Sequence, residues 1–232
     1  MSYNVIRVLR KMNFNEDVRA LYSELCTRLA ELYPPWGLRG VEVLPLKGGK
    51  PGWTGYGVNY RLRGEAKRLE IGLCNRNRDP NADDINYFQD RIFVEFNAAR
   101  KGQNLHYIFD EVVPFYVRTF GAFAATVEDL DTLVRYGEAL RSMSPEAYEA
   151  FMASDRSPKN TCFNIWQVNY WASEQCNNYF GLAPEQVVNA VKGQVARADV
   201  LEGGAYIVVS YDPMSTDEVE LITPKLMPLL RK

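Results

Sequence analysis

The strongest constraint on the fold is an alternation of apolar and polar residues over two neighbouring segments, 57–62 and 68–73. A period of two is typical of strands with one buried face, and the turn at 63–66 joins these segments into a hairpin. A second pair of strand-like segments, 195–201 and 205–211, flanks a turn that contains two glycines. Hairpins impose antiparallel pairing, so the sequence predicts a sheet that is antiparallel at least in part.

The other patterns place strands and helices in groups rather than in strict alternation. Further strands are expected at 5–9, 91–96 and 161–171. Helices are expected from Asn13 or Asn15 to Leu32, over 104–120 with a restart at Pro114, over 127–143, from Ser144, from Ser173 to Gly181, over 184–191, and over 216–230 with an interruption at Pro224. This grouping favours an α+β fold with antiparallel or mixed sheets packed with helices, formed by a single domain over residues 1–232.

Composition excludes several functional classes. A net charge of −2 gives no overall field that would attract phosphates or anionic lipids, so neither a nucleic-acid partner nor a membrane is expected. The N-terminal segment lacks an apolar signal-peptide core and no apolar run reaches the length of a membrane span, which predicts a cytoplasmic protein. The cysteines form no CxxC pair and are expected to be buried free thiols: Cys26, Cys74, Cys162 and Cys176.

The residues that catalysis usually requires are scarce. A single histidine, His106, would have to serve any histidine-dependent mechanism, and its position near the start of a predicted helix favours an exposed or cap-satisfied ring. No cluster of His and Cys offers transition-metal ligands, and Gly48-Gly49-Lys50 lacks the spacing of a phosphate-binding loop. We therefore expect no catalytic residues, no bound metal and no cofactor.

Two alternatives stay open at this point. Clustered carboxylates could hold a divalent ion, as they do in metal-dependent hydrolases. Tryptophans and tyrosines interleaved with Arg and Lys around residues 36–61 could stack nucleic-acid bases. The second alternative is weaker because no RNA-binding signature accompanies the aromatic residues.

Acidic and aromatic residues are the best candidates for a protein-binding surface. A long polar loop between two predicted strands carries Asp79, Asp83 and Asp84, and loops of this kind often hold recognition residues. A second acidic group, Glu128, Asp129 and Asp131, is expected at the exposed start of a helix. Aromatic anchors are expected at Trp53, Tyr56, Tyr87 and Phe88, because large rings dominate the energetics of interfaces.

Several segments resemble a known family. Trp36-Gly37, Gly52-Trp53-Thr54-Gly55 and the aromatic helix from Phe109 to Phe120 resemble the immunity protein 52 family of bacterial polymorphic-toxin systems. The resemblance implies a stoichiometric inhibitor, the antidote of a type VI secretion nuclease effector, which neutralises a cognate toxin in the cytoplasm of the producing cell. It carries over no specific binding residues. The expected partner is a basic nuclease domain, and both a monomer and a homodimer stay open.

This interpretation predicts a kinetic separation between the acidic and aromatic residues. Replacing Asp83→Lys together with Asp84→Lys should slow association with a basic toxin and flatten its salt dependence, because rim charges steer the encounter. Trp53→Ala should mainly speed dissociation, because buried aromatic anchors slow it. Surface plasmon resonance measures both rates. Unchanged rates in correctly folded variants would place the interface elsewhere.

Overall fold

The computed structural model describes residues 3–48, 55–62, 66–77, 89–155 and 157–231. The strands are β1 (Asn4–Lys11), β2 (Lys47–Gly48), β3 (Gly55–Tyr60), β4 (Ala66–Cys74), β5 (Gln89–Phe96), β6 (Ala124–Asp129), β7 (Val168–Trp171), β8 (Arg197–Leu201) and β9 (Gly204–Val208). The helices are α1 (Val18–Leu29), α2 (Leu105–Tyr107), α3 (Val113–Phe120), α4 (Leu130–Arg141), α5 (Pro145–Ala153), α6 (Ser173–Phe180), α7 (Pro184–Val191), α8 (Thr216–Glu220) and α9 (Ile222–Leu230), and a π-helical turn at Ile108–Val112 joins α2 to α3.

Within the described residues, nine strands form one sheet in the order β2-β3-β4-β5-β1-β6-β7-β9-β8. Every strand pair is antiparallel, including both predicted hairpins, β3 with β4 and β8 with β9. The predicted α+β class is therefore confirmed, and the sheet is antiparallel rather than mixed.

Two helical layers cover opposite faces of the two halves of the sheet. On one face, α1 and α3 pack over the half that contains β1, β4 and β5 in a core built around Ile6, Val8, Leu29, Ile71 and Tyr116. On the other face, α6, α7 and α9 pack over β7, β8 and β9 in a core built around Trp171, Cys176, Val187, Ile207 and Leu226. Successive side chains of a strand point to opposite faces, so β7 contributes Tyr170 to the first core and Trp171 to the second.

Several predicted boundaries were wrong. Helix α1 begins at Val18 because the carboxylate of Asp17 accepts hydrogen bonds from the backbone N–H groups of Arg19 and Ala20, so the predicted caps at Asn13 and Asn15 lie upstream of it. The predicted helix over 127–143 begins only at Leu130, because 124–129 pair with both β1 and β7. The predicted strand over 161–171 shrinks to β7, and the C-terminal helices separate at Leu221 rather than at Pro224.

A buried ionic network ties the edge of the first helical layer to the sheet. Asp90 in β5 is fully buried and accepts two hydrogen bonds from the Arg76 guanidinium, at 2.6 and 2.7 Å. Its Oδ2 also accepts from Arg10 of β1 at 3.0 Å, and its Oδ1 accepts from the backbone N–H of Cys74 at 2.9 Å. Both arginines donate in addition to Glu16, whose pKa is lowered, mainly by its hydrogen bond to Arg10.

This network should contribute strongly to stability. Replacing Asp90→Ala removes the shared acceptor of two largely buried arginines and of a backbone N–H, and such losses cost about 3–5 kcal/mol. The exposed pair of Arg28 and Glu24 provides a control, because Glu24→Ala should cost less than about 0.5 kcal/mol. Urea unfolding followed by tryptophan fluorescence gives both free energies. Similar losses in the two variants would contradict the assignment.

Candidate functional site

Half of the sheet exposes a polar face. Because Ile6 and Val8 of β1 point into the first core, Arg7 between them points to the opposite side. The side chains of β4 and β5 alternate in the same way, and the pairing of these strands places their charged residues beside Arg7. We call this surface the open face and define it by Arg7, Arg68, Glu70, Arg91, Phe93 and Glu95.

Each arginine of the open face is paired with a carboxylate. Arg91 lies 2.9 Å from Glu70, and the arginine side chain is exposed while the glutamate is partly covered. Arg68 lies 3.1 Å from the nearly buried Glu95, and its guanidinium sits 5.0 Å from the centre of the Phe93 ring. Arg7 pairs with Glu128 at the edge of the open face, so the charges of these three ion pairs balance.

A cavity lies where the open face meets the second helical layer. Its volume is about 240 Å³. Strands β1 and β6 provide its floor, α4 contributes Leu133, and the segment 158–166 and α6 provide its walls. The lining combines polar groups with aromatic rings: Arg7, Thr126, Glu128, Phe163, Trp166, Trp171 and Tyr179.

Glu128 is the main charged group of this cavity. Its Oε1 accepts a hydrogen bond of 2.7 Å from the Thr126 hydroxyl, and its Oε2 lies 2.9 Å from an Arg7 nitrogen. Burial raises the pKa of this carboxyl, while Arg7 and Thr126 oppose that change. The carboxylate is thus held in place by two partners within the cavity.

The thiol of the cavity is chemically quiet. Burial raises the pKa of Cys162 to about 12, so the thiol stays protonated near neutral pH, and its sulfur donates to the backbone carbonyl of Asn164 at 3.4 Å. All four cysteines are free and buried, which confirms the prediction from sequence.

Only part of the predicted binding surface can be located. Trp53, Asp79, Asp83, Asp84, Tyr87 and Phe88 lie outside the described residues. Tyr56 lies in β3 on the helix-covered side of the sheet, where it is half-buried against the first core. Asp131 is exposed in the first turn of α4, as expected.

The expectation that Glu128 and Asp129 form an exposed acidic helix start was wrong. Both side chains are buried, with exposures of 5% and 1%. They end β6, which pairs with β1, and Glu128 faces the cavity described above. Asp129 is the N-cap of α4: it accepts from the backbone N–H and the hydroxyl of Thr132, each at 2.8 Å, and from the Thr216 hydroxyl at 3.0 Å. Neither carboxylate lies on the exposed surface.

His106 lies away from the cavity. Its ring is largely exposed and stacks on Tyr211, with 3.9 Å between the ring centres. Its Nδ1 lies 3.7 Å from Asp110, which also accepts hydrogen bonds from Arg197 and Tyr211. The predicted exposed ring is confirmed.

Apart from Glu128, the residues of the cavity were not predicted from the sequence as candidates for binding. The alternation within β1 is a signal that could have identified Arg7, since it separates that residue from the apolar positions on either side. Nothing comparable marks Trp166 or Tyr179, which reach the cavity through contacts between distant segments of the chain.

The described part of the chain lacks two further features. Among those residues, no group of three or more His, Cys, Asp or Glu side chains is placed to hold a metal ion. No helix within the same ranges is long and apolar enough to cross a membrane.

Comparison with solved structures finds a distant likeness. No protein-family model matches the chain, and no curated protein matches it in sequence. A solved structure described as Pseudomonas aeruginosa T6SS protein PA0821 is similar over 100% of this chain and 73% of its own, with 12% sequence identity and a TM-score of 0.46. Membership in the immunity protein 52 family is not shown by these comparisons.

Glu128 predicts a specific pH dependence of stability. Because its pKa is raised in the folded state, the protonated form favours folding, and wild type should lose stability relative to Glu128→Gln as the pH rises from about 4 to about 7. Urea unfolding across this range measures the difference, with Glu149→Gln as the control for loss of an exposed carboxylate. A Glu128→Gln variant that becomes relatively less stable at higher pH would mean that Arg7 outweighs burial.

Proposed function

We propose that the protein is a stoichiometric inhibitor that binds and neutralises a cognate secreted bacterial toxin in the cytoplasm of the producing cell. In this proposal the protein is not an enzyme, and its partner is a toxin with a basic nuclease domain. The resemblance of its sequence to the immunity protein 52 family motivates the proposal, and the chemistry of the cavity supports it.

The size of the cavity is the observation that carries the proposal. Small-molecule pockets usually measure about 300–1,000 Å³, and this cavity of about 240 Å³ falls below that range. Its aromatic walls and its fixed carboxylate suit a single protein side chain that enters from the open face. Such pockets typically receive the anchor residue of a partner protein.

The state of the polar groups supports recognition more than acid–base chemistry. Glu128 is held by Arg7 and Thr126, and the Cys162 thiol stays protonated. Groups fixed in this way offer hydrogen bonds and apolar contacts of constant geometry, so an incoming side chain meets a preorganised site. The balanced open face beside the cavity adds charge pairs that discriminate between correct and incorrect partners.

The proposal predicts tight one-to-one binding that depends on the cavity. We expect the secreted effector whose gene adjoins this one to bind in calorimetry with a stoichiometry of one. Thr161→Trp, which places a large ring at the cavity lining, should weaken binding at least about tenfold, and Thr161→Ser should bind like wild type. Circular dichroism establishes that both variants fold.

The possible outcomes separate two questions. An effector that binds wild type and Thr161→Trp equally would leave the inhibitor function in place and remove the cavity from the interface. An effector that does not bind wild type would overturn the proposed function. Tight stoichiometric binding of magnesium, manganese or calcium that is lost in an Asp83→Ala and Asp84→Ala double variant would instead support a metal-dependent hydrolase.

A further inference from the structure

Helix α5 is the most unusual exposed element in the described chain. None of its residues is buried, although it carries three large apolar side chains at positions i, i+3 and i+4: Tyr148, Phe151 and Met152. These positions form one stripe on a helix. Tyr148 and Met152 are 46% and 42% exposed.

Local interactions alone account for only part of the helical structure of α5. Ser144 caps the helix by accepting from the backbone N–H of Ala147 at 3.3 Å, and Pro145 occupies the first turn. Isolated helices shorter than about 12–15 residues are marginal in water, and most helices in proteins are stabilised by packing of their apolar face. A nine-residue helix with no buried residue therefore lacks the usual source of stability.

The apolar stripe continues toward the cavity. The ring of Phe151 lies 6.5 Å from that of Phe163, which is itself 46% exposed. Phe163 also lines the cavity together with Trp166 and Tyr179. Phe163 therefore connects the stripe of α5 to the cavity.

The helix that carries the stripe is acidic. Helix α5 contains two glutamates and no basic residue. Across residues 131–160 the acidic side chains are Asp131, Glu138, Glu146, Glu149 and Asp155, and the basic ones, none of which lies in α5, are Arg135, Arg141, Arg156 and Lys159. Arg135 is engaged by Asp217 at 2.8 Å and by Glu220 at 3.2 Å, so it does not neutralise the surface of α5.

We propose that α5 and Phe163 form the docking surface for the toxin and that the matching surface of the toxin is an apolar cleft with a basic rim. This inference rests on the proposed function and identifies the surface and the partner chemistry. Tyr148, Phe151 and Met152 supply the apolar anchors, and Glu146 and Glu149 pair with Lys or Arg at the rim. A nuclease domain carries such cations to hold a phosphate backbone.

A second copy of this chain is a poorer occupant. In a symmetric dimer the same surface meets itself, so two copies of α5 would bring four glutamates together with no basic residue from either helix. Juxtaposed like charges at an interface cost several kcal/mol. Charge complementarity therefore favours a basic partner over self-association.

The test compares anchors and rim with matched controls. In surface plasmon resonance against the effector encoded beside this gene, Tyr148→Gln with Met152→Gln should weaken binding at least about thirtyfold, mainly through faster dissociation, as expected for hot-spot residues. Tyr33→Gln, which replaces a tyrosine exposed elsewhere on the surface, should bind like wild type. Glutamine is compatible with a helix, so α5 is retained.

Charge reversal tests the rim. Glu146→Lys with Glu149→Lys should slow association at low salt, and the same change in charge at exposed Glu42 and Glu185 should slow it less. If both double variants slow association equally, only the net charge of the protein matters. That result would overturn the assignment of Glu146 and Glu149 to the rim. Light scattering of the wild-type protein alone shows whether it forms a dimer. A dimer that dissociates when Tyr148 and Met152 are replaced by glutamine would show that a second copy covers α5, and it would overturn the proposal.

These measurements distinguish the inference from the function on which it rests. If the effector binds wild type and both α5 variants with equal rates, α5 is not the docking surface while the inhibitor function stands. If the effector does not bind wild type at all, both proposals fail.

Discussion

The pairing of β1 with both β5 and β6 is the interaction on which the rest of the structure depends. This strand lies between the half of the sheet covered by α1 and α3 and the half covered by α6, α7 and α9. Its alternation sends Ile6 and Val8 into the first core and Arg7 and Leu9 to the cavity. Because a shift of one residue in register would exchange these sets, the hydrogen-bonded register fixes the core and the candidate site together.

The ion pairs of the protein fall into a buried group and a partly solvated group. Asp90 of β5 pairs with Arg10 near the end of β1. Arg76, its other partner, lies two residues after the end of β4. The charges are therefore concentrated in a buried network that holds these strands in register. On the open face the pairs are partly solvated, so they contribute less to stability and more to the pattern of charge that a partner meets.

The sequence predicted the parts of the fold that are determined locally. Both hairpins, β1 and the start of α3 near Pro114 follow from short-range patterns and turn residues, and the structure contains them. The sequence failed at 127–129, where Glu128 and Asp129 were expected in an exposed helix, because their burial depends on β1 and β7, which are distant in sequence. The cavity was missed for the same reason, since its lining comes from six separate parts of the chain.

The buried and exposed groups would contribute differently to binding of a toxin: exposed apolar rings to its affinity and solvated glutamates to its rate of association. The carboxylates of Asp90 and Asp129 are buried, already have fixed hydrogen-bond partners, and would gain little from a toxin. The exposed rings beside the cavity have apolar area still to bury, and burial of such area contributes roughly 25 cal/mol per Å². Affinity should therefore come mainly from α5 and Phe163, while the solvated glutamates near them govern how fast a basic partner arrives.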